Sequence, residues 1–124
     1  QDLRQAMRAS IQDQSWALRD ATFAREPVIQ CPVTGTWITS SEAHVDHAPP
    51  NTFERLLGRF LLERGLEPDS IALGGDDDGE MECYLVDPAL RADWSAWHAA
   101  RAQLRVVSAK ANLSDIRRQQ GMGE

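Results

Sequence analysis

A chain of 124 residues with 42% hydrophobic and 26% charged side chains has the length of a single compact domain, with material for one core but hardly two. Its formal net charge of −6 excludes a histone-like protein that coats nucleic acid unaided, while leaving room for an enzyme with a local basic strip. No apolar run approaches the ~18 residues of a membrane span, and no secretory signal pattern opens the chain.

The chain begins at Gln1 rather than Met, which leads us to expect an upstream domain of the same polypeptide. Leu3, Met7, Ile11 and Leu18 fall at helical spacing among Arg4, Arg8, Asp13 and Arg19, so residues 2–24 read as one amphipathic helix ended before Pro27. Residues 28–39 change texture: Val28, Ile29, Val33, Trp37, Ile38 and Thr39 are strand formers around a turn at Thr34-Gly35. A further extended piece, residues 43–47, stops at Pro49-Pro50, which cannot continue a central strand.

The clearest helix follows. Asn51 stands as its cap with Glu54 three residues on, and Phe53, Leu56, Leu57, Phe60 and Leu61 make one wide apolar face. Arg64 and Gly65 close it. Residues 70–73 and 81–86 read as short strands flanking the acidic run Asp76-Asp77-Asp78, which lacks the ligand pattern of a calcium loop and reads as a surface turn. Asp87-Pro88 opens a second helix with Leu90, Trp94 and Trp97 inward. Residues 104–107 form a short strand, and residues 109–120 a closing helix with Leu113 and Ile116 inward.

Chemistry concentrates in His44-Val45-Asp46-His47-Ala48-Pro49-Pro50. An aspartate beside a histidine at a strand end supplies a hard oxygen ligand and a base that titrates near neutrality. Phosphodiester hydrolysis needs both. Strict alternation aims Asp46 and His47 at opposite faces, but the two prolines are expected to take the chain out of its pleat there and let both converge. Asn112, about one turn into the closing helix, is positioned to offer an amide oxygen beside Asp46. Between Arg101 and Arg118 there are five basic residues against one acidic, so this stretch is where a phosphate backbone would lie.

The pair Val45-Asp46-His47-x-x-Pro50 and Leu104-Arg105-Val106-Val107-x-x-x-x-Asn112 resembles the HNH endonucleases, in the variant that ends in Asn. The resemblance implies an α+β fold with a ββα-metal core, His47 as general base, and Asp46 and Asn112 as ligands of one Mg²⁺ or Mn²⁺ ion. It implies DNA as substrate, with RNA open, and no membrane. The family's zinc-knuckle positions here read Cys31-Pro-Val-Thr34 and Ser108-Ala-Lys-Ala111, so no structural zinc is expected. The family's middle Asn falls at Gln103, and His98 is a candidate for the lost orienting contact. The arrangement also resembles C-terminal domains attached to relatives of the plant Defective Chloroplasts and Leaves family.

The expected layout is therefore a single domain: an N-terminal helix (1–25), the first half of the motif (28–50), a helical and hairpin insertion (51–103), and the strand and metal helix (104–120). His44 is a possible additional ligand, and Arg105 and Lys110 are the expected phosphate contacts. Each has an ordinary alternative: a turn histidine, a turn aspartate, a solvated helix face. A degenerate HNH-like module that binds nucleic acid or protein without hydrolysis is the competing class. Two cysteines, too few for a disulfide framework, point to a reducing, cytoplasmic setting.

Overall fold

The computed structural model describes residues 3–75 and 83–111. They form helices and small antiparallel sheets, an α+β arrangement, divided into two compact units. One unit comprises the chain up to Gln14 together with Ala48–Gln103; the other comprises Ser15–His47 and the chain from Leu104. Among the described residues no helix is long and apolar enough to cross a membrane.

The N-terminal stretch is two helices rather than the single one expected, α1 (Leu3–Ala9) and α2 (Gln12–Arg25). The break falls at Ser10, whose hydroxyl donates back to the Ala6 carbonyl at 2.9 Å. Apolar periodicity does run through it, because Met7 and Ile11 enter the same core. Leu18 belongs to the other cluster, in the second unit.

The first unit is built on α3 (Phe53–Arg64) and α4 (Pro88–Arg101). The cap of α3 is Thr52, not Asn51: its hydroxyl accepts from the Arg55 N–H at 3.3 Å. Gly65, in the left-handed region, terminates the helix as expected. Asp87 caps α4 through the Ala89 N–H, with Pro88 in the first turn. The faces facing inward bring Phe53, Phe60, Trp94 and Trp97 into one aromatic cluster with ring centroids 5.2–6.1 Å apart. A two-stranded hairpin, β4 (Leu73–Gly74) with β5 (Tyr84–Leu85), adds the buried Leu85. The acidic run lies outside the described residues.

The second unit holds β1 (Ile29–Gln30) paired with β2 (Trp37–Ile38), and β3 (Ala43–His47) paired with β6 (Leu104–Ser108). Gly35, at φ 77°, makes the turn between β1 and β2, where a side chain would be strained. Its core is Cys31, Ile38, Ala43, Val106, Val107 and Ala111. The chain becomes helical at residues 109–111; the remainder of the expected closing helix, with Leu113 and Ile116, lies outside the described residues.

Candidate functional site

The β3–β6 ribbon organises the candidate site. Its register is Ala43↔Ser108, His44↔Val107, Val45↔Val106, Asp46↔Arg105 and His47↔Leu104. Opposed residues share a face, so Ala43, Val45 and His47 stand on one side and His44 and Asp46 on the other. The first side packs on the core through Ala43, Val45 and Val106, and the second contributes the fully buried Val107, opposite His44.

The pairing stays regular through His47, and Ala48 N–H still donates to the Gln103 carbonyl at 2.7 Å. The strand covers residues 43–47 as expected, but the prolines do not take the chain out of its pleat at Asp46 and His47. The pleat leaves Asp46 and His47 on alternate faces at the ribbon's end. Gln103, the expected middle position, sits exposed where this pairing stops, and its backbone oxygen is the group in use.

Arg105 was expected to face a phosphate. It instead holds Asp46 from the opposing strand by a two-point pair, Nε donating to Oδ1 at 2.8 Å and Nη2 to Oδ2 at 3.2 Å. The Asp46 side chain is 14% exposed and that of Arg105 27%, so the pair is shielded but reachable from solvent. Sequence reasoning missed this contact because opposite charges announce a cross-strand pair only once the register is known. His44 is exposed, beside Asp46 on the same face. Lys110 is exposed on the helical turn that follows β6. Asn112 lies outside the described residues.

His98 belongs to the first unit and has no solvent exposure. Gln14 spends its amide N–H groups on Ser95, leaving its Oε1 to accept from His98 Nδ1 at 2.7 Å. Burial pushes the imidazole down to about 4, so it is neutral at pH 7. A group so enclosed does not touch a substrate. Its place is structural, against the Trp94 ring at 5.4 Å.

The positions matched to zinc knuckles do come together, but with other donors. Ser108 N–H donates to Cys31 Sγ at 3.3 Å, and Ala111 N–H donates to Ser108 Oγ at 3.0 Å. Burial raises the Cys31 thiol, yet hydrogen bonds from the Thr34 hydroxyl and the backbone of Ser108, Thr34 and Val33 outweigh it and bring the thiol down to about 6. One sulfur, two hydroxyls and a methyl are not a zinc-binding set.

Among the described residues no three His, Cys, Asp or Glu side chains cluster as a metal site. The chemistry of Asp46 nonetheless suits a hard divalent ion: a carboxylate has about four lone-pair directions, of which the guanidinium fork takes two. Comparison with family models, curated proteins and solved structures finds no match to this chain.

Proposed function

We propose that the chain is an HNH-type endonuclease that hydrolyses DNA phosphodiester bonds with one Mg²⁺ or Mn²⁺ ion on Asp46 and Asn112. The observation that carries this reading is the order strand, strand, helix. β3, which ends in Asp46-His47, lies in register with β6, and β6 runs directly into the helical turn that leads toward Asn112, although residues 48–103 intervene in sequence. Two stretches chosen for their chemistry are thus neighbours.

When bound, such an ion neutralises charge on the phosphate and on the departing oxygen. His47 accepts the proton of the attacking water, a task suited to an imidazole near neutrality. Asp46 and Asn112 would supply oxygen donors, with His44 two residues before Asp46 on the same strand face. Lys110, exposed on the turn after β6, and Arg105, partly exposed and paired with Asp46, are the candidate contacts to the substrate backbone.

The Asp46–Arg105 pair favours a second reading, a module that binds nucleic acid or protein without cleaving, in which the pair simply ties two strands. Nicking of a supercoiled plasmid in Mg²⁺, with and without EDTA, separates the two. The nuclease reading expects nicking that EDTA, His47→Ala and Asp46→Asn each abolish. Equal nicking by the His47→Ala variant, or DNA binding with no hydrolysis in either metal, would refute it.

A further inference from the structure

We propose that the chain binds a second copy of itself, the exposed face of α2, centred on Trp16, seating on the exposed face of α3, centred on Gly58. The contact is independent of the chemistry at Asp46.

The outer face of α3 carries Arg55, Gly58, Arg59 and Leu62, spaced as neighbours on one side of a helix. All four are exposed, and Leu62, at 83%, is the most exposed large hydrophobic side chain among the described residues. The helix's other exposed charges are engaged within the chain: Glu54 with Arg4, Glu63 with Trp97 and Arg64 with Asp93. After proline, glycine is the costliest residue in a helix interior. Nothing in the chain requires it here, because among the described residues a Cβ built at Gly58 meets no atom within 4 Å. The result is a shallow notch walled by Arg55, Arg59 and Leu62.

The exposed face of α2 has the opposite relief and the opposite charge. Asp13, Trp16, Ala17, Asp20, Ala21 and Ala24 share it, and all are exposed. The Trp16 ring stands above three alanines, and among the described residues neither aspartate has an ion-pair partner. Pairing either face with its own counterpart sets like charges together, whereas pairing one with the other sets aspartates against arginines. Asp13 lies three residues before Trp16 and Asp20 four after it, while Arg55 lies three before Gly58. With Trp16 over Gly58, either direction of the two helices therefore brings an aspartate to Arg55, and Arg59 flanks the ring. A nucleic-acid backbone fits less well. It makes no use of Leu62, and mid-helix N–H groups at Gly58 are spent within the helix. One helix-on-helix contact is small by the standard of stable interfaces, so the association is reversible and weakened by salt.

Sedimentation velocity of the full chain over a concentration series, at low and high salt, tests the contact. Wild type should associate as concentration rises, and less so in high salt. Trp16→Ala should weaken association about thirtyfold, the scale of a central aromatic anchor. Gly58→Gln should weaken it comparably by filling the notch, yet raise the thermal midpoint, a combination that a glycine serving only the fold would not give. A charge reversal adds a rescue. Asp13→Lys/Asp20→Lys in one chain and Arg55→Glu/Arg59→Glu in another should each remain monomeric alone and associate when mixed. Adding Trp16→Ala to the first should abolish that mixed complex, which separates the contact from plain attraction between unlike chains. Misfolded variants do not reproduce the rescue, and the wild-type series needs no substitution. Wild type that is monomeric at every concentration overturns the proposal, even if an unrelated acidic helix or a DNA duplex binds at Arg55 and Arg59. Association that Trp16→Ala and Gly58→Gln leave unchanged, or charge-reversed chains that ignore each other, overturns it equally.

Discussion

At His98 a single side chain couples folding to pH. The ring is fully buried and neutral, with its Nδ1–H committed to Gln14, so protonation must place a charge among Trp94 and its neighbours. An unfolded chain binds that proton near pH 6.5, the folded one only near 4. The stabilising contribution is therefore complete above about pH 6.5 and is lost as pH falls toward 4, a difference on the order of 3 kcal/mol. His98→Asn keeps an N–H for Gln14 and removes the titration. Urea unfolding should find it less stable than wild type at pH 7, because ring packing is lost, yet nearly flat between pH 6.5 and 4 where wild type declines. A parallel decline in both proteins would mean that other groups dominate the acid limb. The same residue shows a limit of sequence reading. A histidine following Trp94 and Trp97 on a helix fits both a core position and an active-site one, and only the partner Gln14, far away in sequence, decides.

At the scale of elements, what was legible was local. The stripe of α3, its closing Arg64-Gly65 and the Asp87-Pro88 opening of α4 are signals contained within a few residues, and these helices form where those signals lie. What was illegible depended on distant partners. Nothing like Pro or Gly announces the break at Ser10, and α1 is defined by what its end meets. A helix leaves its last carbonyls without intrahelical donors. In α1 the Met7 carbonyl is taken by Trp94 Nε1–H of α4 at 2.8 Å, a buried contact. Trp94→Phe preserves most of the ring's packing and deletes this donor, leaving a buried carbonyl unpaired at a cost of about 1–3 kcal/mol. Chemical denaturation should show that loss, and hydrogen exchange should show faster exchange across Leu3–Ala9 than at the centre of α3. Uniform acceleration throughout the first unit would instead assign the effect to the aromatic core. The candidate site divides the same way: Asp46-His47 was visible as a motif at a strand end, whereas its tie to Arg105 required the pairing of β3 with a strand beyond the intervening residues 48–103.

Across the whole molecule, two units carry separate cores and separate titrating groups. The first contains His98 and the buried Trp94 and Trp97; the second contains Cys31, with Trp16 and Trp37 already 56% and 66% exposed. Tryptophan emission therefore reports chiefly on the first unit, while circular dichroism reads helix from both. Cys31 gives the second unit a pH dependence of its own. Its thiol titrates near 6 when folded against 9 when free, so its contribution is present above about pH 9 and disappears as pH falls through 6, at most on the order of 4 kcal/mol. The two windows meet near pH 6, and stability is expected to rise with pH across both. Cys31→Ser removes the thiolate while retaining a small polar acceptor for Ser108 N–H. In thermal melts from pH 6 to 9 it should flatten the rise seen by circular dichroism and leave the tryptophan-detected midpoint nearly unmoved. His98→Asn should flatten the tryptophan-detected rise between pH 4 and 6.5, and the helical signal of α3 and α4 should follow it. Should Cys31→Ser shift both signals by the same amount at every pH, the two cores melt as one cooperative body, and binding at Asp46 would then stabilise the tryptophan core as strongly as its own.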